Sequence, residues 1–435
     1  MKFFVTKDER NNIIYHYKPL DEIKQETNIN FYGKNNIIFL CEKAFLQKSK
    51  IYISGDENLL FIANTNFCMD INIFGFSLCY VGNNNFLNPF RKPSRAELSE
   101  HKALIIGDNN LISWECEFEN FDWHFIYDKT SKKRINEAKN IHIGDFCWIS
   151  QNAKFLKGGF VASGSIIGAR SVTSGKVYYS NSIYAGVSAK KIKTNVFWHS
   201  SCPISWDKKA IQAYNFYDKE ECCFTFQKEK FLNPALIEKE LESMDTALQK
   251  LEFVYDYIYN NTEKNRFALF EDSDISECKL YKDESKTAFK DLEFIDSKEL
   301  QKLEIFKPKG AKERIQNTLS YKLGLAMIQN SKNTSGIIRL PFTLLKIQNK
   351  HNKAQKLYQE QIKINPNLKL PPLQTYEDYH EALKAKEHLS YKLGEALIQA
   401  HKNILKGGYV KFFFELKRIK NTHCKKEANI QKDKL

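Results

Sequence analysis

The sequence has no run of about 18 apolar residues, the length at which a helix crosses a bilayer. Its start, Met1 to Glu9, lacks the apolar stretch of a secretion signal, so a cytoplasmic protein that spans no membrane is expected. Ten cysteines are scattered singly, apart from the adjacent Cys222 and Cys223. None falls in a CxxC pair or a Cys/His cluster with zinc spacing, so reduced thiols and no bound metal are expected. There is no Gly-rich phosphate loop of the Walker or dinucleotide kind. Lys157-Gly158-Gly159 belongs to a hexapeptide series, and Lys406-Gly407-Gly408 lacks the Ser or Thr that must follow. Recognised nucleic-acid-binding motifs are also missing. The 66 Lys and Arg against 52 Asp and Glu, a net charge of +14, favour anionic partners without choosing among them.

What is present is a period of six. From Ile143 the chain reads IGDFCW, ISQNAK, FLKGGF, VASGSI and IGARSV. Ile143, Ile149, Phe155, Val161 and Ile167 open the units, and Cys147, Ala153, Gly159, Ser165 and Ser171 follow at a fixed offset. Three such units make one turn of a triangular coil. The large residue points into the prism and the small one sits by the tight corner. One coil cannot bury its own face, so several must stack. A looser repeat precedes it: Gly33 to Asn36, Gly55 to Asn58, Gly82 to Asn85 and Gly107 to Asn110 each lead into two apolar residues. Gly and Asn tolerate the left-handed backbone that sharp corners require. The two patterns together predict a left-handed parallel β-helix at the N-terminus.

The period stops near residue 200. Residues 233–260 read as one long amphipathic helix with Pro234 in its first turn, and 271–312 as a charged connecting segment. A second repeat then appears, LSYKLGLAMIQNSKN from Leu319 and LSYKLGEALIQAHKN from Leu389. An apolar and basic stretch follows each copy. The expected organisation is a β-helix over 1–200 with a loop at 119–140, a linker over 201–232, and an α-helical, basic domain over 233–435. The stretch 404–420 has the composition of a helix that lies at a membrane surface or packs on its own domain.

Within the β-helix, the segment 119–140 breaks the period, so it must leave the coil as a loop, where functional residues concentrate. It contains His124 beside Asp122, Trp123 and Tyr127. IGDNNLISWECEFENFDWHFIYD, KRINEAKNIHIGDFCWISQNAKFLKG, IGARSV and YAGVSAKKIK resemble the bacterial hexapeptide-repeat O-acetyltransferases of sugars and surface polysaccharides, over about residues 30–195. The resemblance implies that His124 deprotonates an acceptor hydroxyl. Asp122, or one of Glu115, Glu117 and Glu119, is the group expected to orient the imidazole. Phe125 stands where the family has Pro, and Trp123 where it has a small residue.

The same resemblance implies acetyl-CoA as co-substrate along the coils of a homotrimer, with Trp148, Ala169, Arg170, Ala185, Gly186, Lys190 and Lys191 at the donor site and Lys193 nearby. Val187 and Ser188 replace Asn and Pro in its closing motif. The activity implied is O-acetylation of a bacterial surface glycan such as lipooligosaccharide, capsule or a sialic-acid chain. N-acetylation of an amino or nucleotide sugar, and a non-catalytic β-helix scaffold, are the other readings. Acceptor assays separate the first of these and acetyl-CoA binding the second. His142 is the only other histidine placed near the coil chemistry. The C-terminal domain is expected to contact a membrane or a glycosyltransferase, and nucleic acid is not expected.

Overall fold

The computed structural model describes residues 2–218, 223–297, 308, 310–331, 334–364, 369–403 and 407–432. The chain divides into two compact units, residues 1–299 and 300–435.

In the first unit short strands visit three parallel sheets in strict rotation, for about seven turns. The six-residue period fixes the register. Ile143 lies over Val161, Ile149 over Ile167 and Phe155 over Thr173. All five large residues are sealed inside, and Cys147, Ala153, Ser165 and Ser171 are buried at the corners. Phe118 and Phe155 stack in the interior with centroids 4.8 Å apart. The antiparallel strand Lys2–Lys7 covers the first coil at one end, and Lys190–Thr194 folds back on Ser182–Ala185 at the other.

Each corner holds a ladder of polar side chains. At the entry to the first sheet, the carboxamide oxygen of Asn12 accepts from the Asn36 backbone N–H at 3.0 Å, Asn36 from Asn58 at 3.0 Å, and Asn58 from Ser77 at 2.9 Å. Between the first and second sheets, Asn85 accepts from Asn110 at 2.8 Å and Asn110 from Cys147 at 2.6 Å. The Gly-Asn repeat of the sequence thus serves two different corners, which explains its uneven spacing. The preceding residues, Asn35, Glu57, Asn84 and Asn109, all adopt positive φ between 53° and 59°. A side chain on Gly33 would run into the Gly55 carbonyl oxygen at 1.8 Å.

The first sheet is apolar on both faces, the pattern of a sheet covered on both sides. Tyr15, Phe39, Phe61, Tyr80, Ile105, His142 and Phe160 follow one another along its outer face. Phe231, Leu232, Ile237, Leu241, Leu251, Val254, Tyr255 and Ile258 pack over most of this stripe. The helix expected over 233–260 is three pieces, Pro234–Glu242, Ala247–Phe253 and the π-helical Val254–Tyr259. Thr246 restarts it with a capping box to Gln249, a local bonding option that outcompetes continuation.

The expected division at residue 233 is therefore not where the compact units part. Phe231 and Leu232, placed in a linker by the sequence, are buried against the coil, and the helices over 234–259 are its cover. The charged stretch after 271 is also more than a connection. Glu293–Asp296 pairs in parallel with Lys2–Lys7, because Phe289, Leu292 and Phe294 bring enough apolar surface to pack with Phe3, Tyr15 and Phe39.

The cover is pinned by one fully buried arginine. Arg266 grips both oxygens of Asp145 at 2.8 and 2.9 Å and reaches Asp108 at 3.1 Å. Its remaining N–H groups donate to the carbonyls of Ile258 and Asn261. Asp108 and Asp145 are themselves ladder residues, accepting from the backbone of Asn83 and Asp108 at 2.7 and 2.6 Å.

In the second unit the duplicated sequence packs against itself. Leu319–Asn330 crosses Leu389–Lys402 so closely that a β-carbon on Gly324 would lie 1.7 Å from the Ser390 carbonyl oxygen, and one on Gly394 equally close to that of Ser320. The contacts are reciprocal, as a local two-fold axis requires. Ala311–Gln316 and Tyr379–Lys386 precede the two copies and share a small core of Ala311, Ile315, Ala382 and Ala385. Thr334–Ile364 and Gly408–Lys432 follow them.

Removing a buried partner and leaving two carboxylates unpaired costs about 3–5 kcal/mol. Arg266→Ala is expected to lower the urea-unfolding free energy of the first unit by about that much, whereas a loss under ~1 kcal/mol would show that the ion pair does not hold the cover.

Candidate active site

The coil ejects residues 120–140 at the corner between Glu117–Glu119 of the third sheet and Ile141–Ile143 of the first. The ejected segment is an ordered hairpin. Tyr127 bridges Arg134, and Asp128 closes the tip by accepting from Ser131 and Thr130. Its base is tied by buried Asn136, whose carboxamide accepts from the Ile126 N–H at 2.8 Å. The same carboxamide donates to the His124 carbonyl at 2.8 Å and to Asp122 at 2.9 Å. Lys157, from the coil above, pairs with Asp122 at 2.5 Å and donates to the Asn136 carbonyl at 3.0 Å. Arg134 pairs with Glu100 at 2.7 Å and lies over the Phe125 ring. Phe121 and Phe74 support Trp123.

His124 is thus held through its backbone, while its exposed imidazole forms no hydrogen bond among the described residues. Among the described residues Asp122 forms no hydrogen bond to it. Lys157, the main cause, and Asn136 hold the Asp122 carboxyl below the usual carboxylate range, and both bond its Oδ2 atom. The alternatives are engaged elsewhere: Glu115 with Asn152, and Glu117 and Glu119 with Arg95 and Lys154. Asn136, Lys157 and the Arg134–Glu100 pair escaped the sequence reading. The breaks in the hexapeptide period locate a loop, but not the side chains that clamp it.

The residues expected at a donor site fall at a different corner. Trp148 is on the outer face of the second sheet, 39% exposed, and in register with Ile166 and Ile183 of the next coils. Ala169 and Arg170 turn from the second sheet to the third; one coil later Tyr184 lies over Ile167, which brings Ala185 over Gly168 with Gly186 next in the chain. The close approach is backed by Gly168 N–H to the Tyr184 carbonyl at 2.8 Å and Val172 N–H to the Gly186 carbonyl at 3.0 Å. Ala169, Arg170, Gly186 and Lys190 are exposed. Small side chains line this edge, and Arg170 and Lys190 add two exposed cations to it. Lys191 departs from the expectation, because it pairs with Glu271 at 2.5 Å. Lys193 is exposed on the same strand. Trp198, unforeseen from sequence, stacks on Phe146 at 4.4 Å and donates to its carbonyl, packing beside Trp148.

His142 belongs to neither corner. It fills a slot that Phe, Tyr or Ile fill in other coils, facing Phe160 edge-on, with both ring nitrogens buried and unpaired. Burial pushes it down to about 4, so it is a neutral packing residue. Burial likewise pushes the thiol of Cys147 up to about 12 and those of Cys41 and Cys79 higher still, which removes them as nucleophiles. Among the described residues no cluster of His, Cys, Asp and Glu could hold a metal, and no helix is long and apolar enough to cross a membrane.

Two polysialic acid O-acetyltransferases are similar to this chain in sequence. The one from Neisseria meningitidis is 26% identical over 136 residues, 30% of this chain and 60% of that protein. The one from Escherichia coli O1:K1 / APEC is 33% identical over 95 residues, 22% of this chain and 31% of that protein. The chain therefore spans less than two thirds of the length of either. The crystal structure of the polySia specific acetyltransferase NeuO matches 44% of this chain and 88% of its own, with 28% identity and a TM-score of 0.40. Residues 238–425 match a family described as a domain of unknown function, DUF8374.

Each hydrogen bond that Asn136 makes stabilises the loop by about 1 kcal/mol. Asn136→Ala is expected to speed amide hydrogen exchange at Ile126 and across 122–136 by about tenfold or more, with the coil unchanged. Unaltered protection would mean that the loop is held by other means.

Proposed function

We propose that this protein is a hexapeptide-repeat acyltransferase that transfers an acetyl group from acetyl-CoA to a sugar hydroxyl of a bacterial surface glycan. The observation that carries the reading is His124, presented to solvent on a loop clamped by Asn136 and Lys157, with its imidazole left uncommitted. An imidazole nitrogen with no other partner can accept a hydroxyl proton as a general base. The acceptor oxygen attacks the thioester carbonyl, His124 takes its proton, and the tetrahedral intermediate collapses with loss of the CoA thiolate, which is then protonated. No covalent enzyme intermediate is required. Trp148, Ala169, Arg170, Ala185, Gly186 and Lys190 form the donor corner. Asp122 acts on the loop through Lys157 and Asn136 rather than on the imidazole. Since the relatives carry the name polysialic acid O-acetyltransferase, a sialic-acid chain is the acceptor to try first.

In one subunit the loop and the donor corner belong to different edges of the prism. The loop also exposes Trp123, Phe125, Ile126, Tyr127 and Ile135, each more than half accessible. So much apolar surface in one loop marks an interface. The protein works as a homotrimer in which the loop of one copy reaches the donor corner of another.

His124→Ala is expected to lower acetyl transfer about a hundred- to ten-thousand-fold, read by mass spectrometry on a panel of sialylated and other bacterial glycans, with folding intact. Transfer that survives the substitution would refute His124 as base. No transfer and no acetyl-CoA binding by the wild type would leave the scaffold reading.

Two inactive variants test the shared site. His124→Ala and Ala169→Trp, which fills the donor corner, are expected to regain activity when co-assembled, because some interfaces then pair an intact loop with an intact corner. A mixed oligomer with no recovery would place the whole site within one subunit.

A further inference from the structure

Each of the two long helices of the second unit presents an exposed face that the transfer reaction does not use. Their sequences align at Gly336 with Gly408, Arg339 with Lys411, Leu340 with Phe412, Phe342 with Phe414, Lys346 with Arg418 and Ile347 with Ile419. Burial follows the same alignment. Leu340, Leu344 and Ile347 on one helix, and Phe412, Leu416 and Ile419 on the other, are half-buried against their own repeat. The opposite faces stay open: Phe342 is 76% exposed and Leu345 56%, while Val410, Phe413 and Phe414 are 65%, 71% and 70% exposed. The internal repeat has kept an outward aromatic at matching positions in both copies. One such exposed ring is ordinary on a protein surface, but apolar clusters of this kind mark a contact.

Charge selects the partner. Thr334–Ile364 carries six Lys and Arg against one acidic residue, and Gly408–Lys432 seven against two. A second copy of the unit would set one such face against another and repel it. Nucleic acid would answer the charge but leave the aliphatic Leu345 and Val410 in water. A membrane interface with anionic headgroups takes both, with the rings and aliphatic groups at the acyl boundary and the cations among the headgroups. Neither helix can cross a bilayer.

We infer that the C-terminal unit docks on an anionic lipid surface through the exposed aromatic and basic faces of its two long helices. This goes beyond the transfer reaction and holds or fails independently of it, because the test reads binding alone.

The full chain is sedimented with phosphatidylcholine vesicles, with or without about one third phosphatidylglycerol. Binding is expected to be about tenfold stronger with the anionic lipid and to weaken as salt is raised. The variant Phe342→Ser/Phe413→Ser/Phe414→Ser, all at exposed positions, is expected to lose about tenfold in binding while its circular dichroism and melting stay unchanged. Lys411→Glu/Lys417→Glu is a second variant that leaves the rings intact, and it is expected to lose the preference for anionic vesicles. Equal binding to neutral vesicles, no binding to either, or full binding by both variants overturns the proposal. So does self-association abolished by the Phe variant, or tighter capture of RNA than of vesicles.

Discussion

A stacked coil repeats the same problem at every turn: the backbone bends sharply at three corners, and the amides there must find acceptors without widening the prism. An unpaired buried N–H costs about 1–3 kcal/mol, so a stack of about seven turns tolerates few of them. The solution here is a column of short polar side chains. Asn12, Asn36 and Asn58 serve one corner, and Asn85 and Asn110 another, each accepting from the next coil up. The neighbouring positive-φ residues turn the chain so that these side chains point along the stack. Everything else, from the interior packing of Ile149 on Ile167 to the flatness of the outer faces, depends on that constant turn height.

The ladder also anchors the cover. Asp108 and Asp145 are ladder members whose carboxylates bind Arg266, and Arg266 holds the carbonyls that end the π-helical segment. Leu232 donates to the Arg266 carbonyl at 2.7 Å, which ties the start of the cover to the same point. Burying a guanidinium is justified only when all its donors are met, as they are here. The outer aromatic stripe of the first sheet is thereby closed, and His142 is drawn into it as one more ring.

The candidate site lies between Asn120 and Asn140, which accept from the Ser99 and Ala103 N–H groups of the coil below at 2.9 and 2.6 Å. An insertion at one corner cannot stay in the coil, so it leaves as a hairpin. Its base is then secured by residues of the coil above and below, Lys157 and Glu100. The result is a loop tied at its base through Asn136, with an exposed imidazole that forms no hydrogen bond among the described residues. The second unit uses another device. Glycine at matched places in the two repeats lets the helix backbones touch, which leaves the long helices that follow free to display aromatic and basic faces.

By itself the sequence determined the coil, its register over 143–173, the place of the ejected loop and the existence of an internal helical repeat. These are local periodicities, and physics ties each period to a shape. It did not determine what covers the coil, where the units divide or which groups hold His124. The apolar stripe from Tyr15 to Phe160 is covered by residues far along the chain, Tyr255 on Phe39 among them, and only packing joins them. Asp122 was legible as a neighbour of His124, but whether its carboxylate turned to the imidazole or to Lys157 depended on a residue one coil up. Lys191 likewise read as a free cation until Glu271 from the cover was brought to it. Periodic features are decided along the chain, whereas hydrogen-bond partners are decided across it, and that is why the fold was readable and the wiring of the site required the tertiary structure.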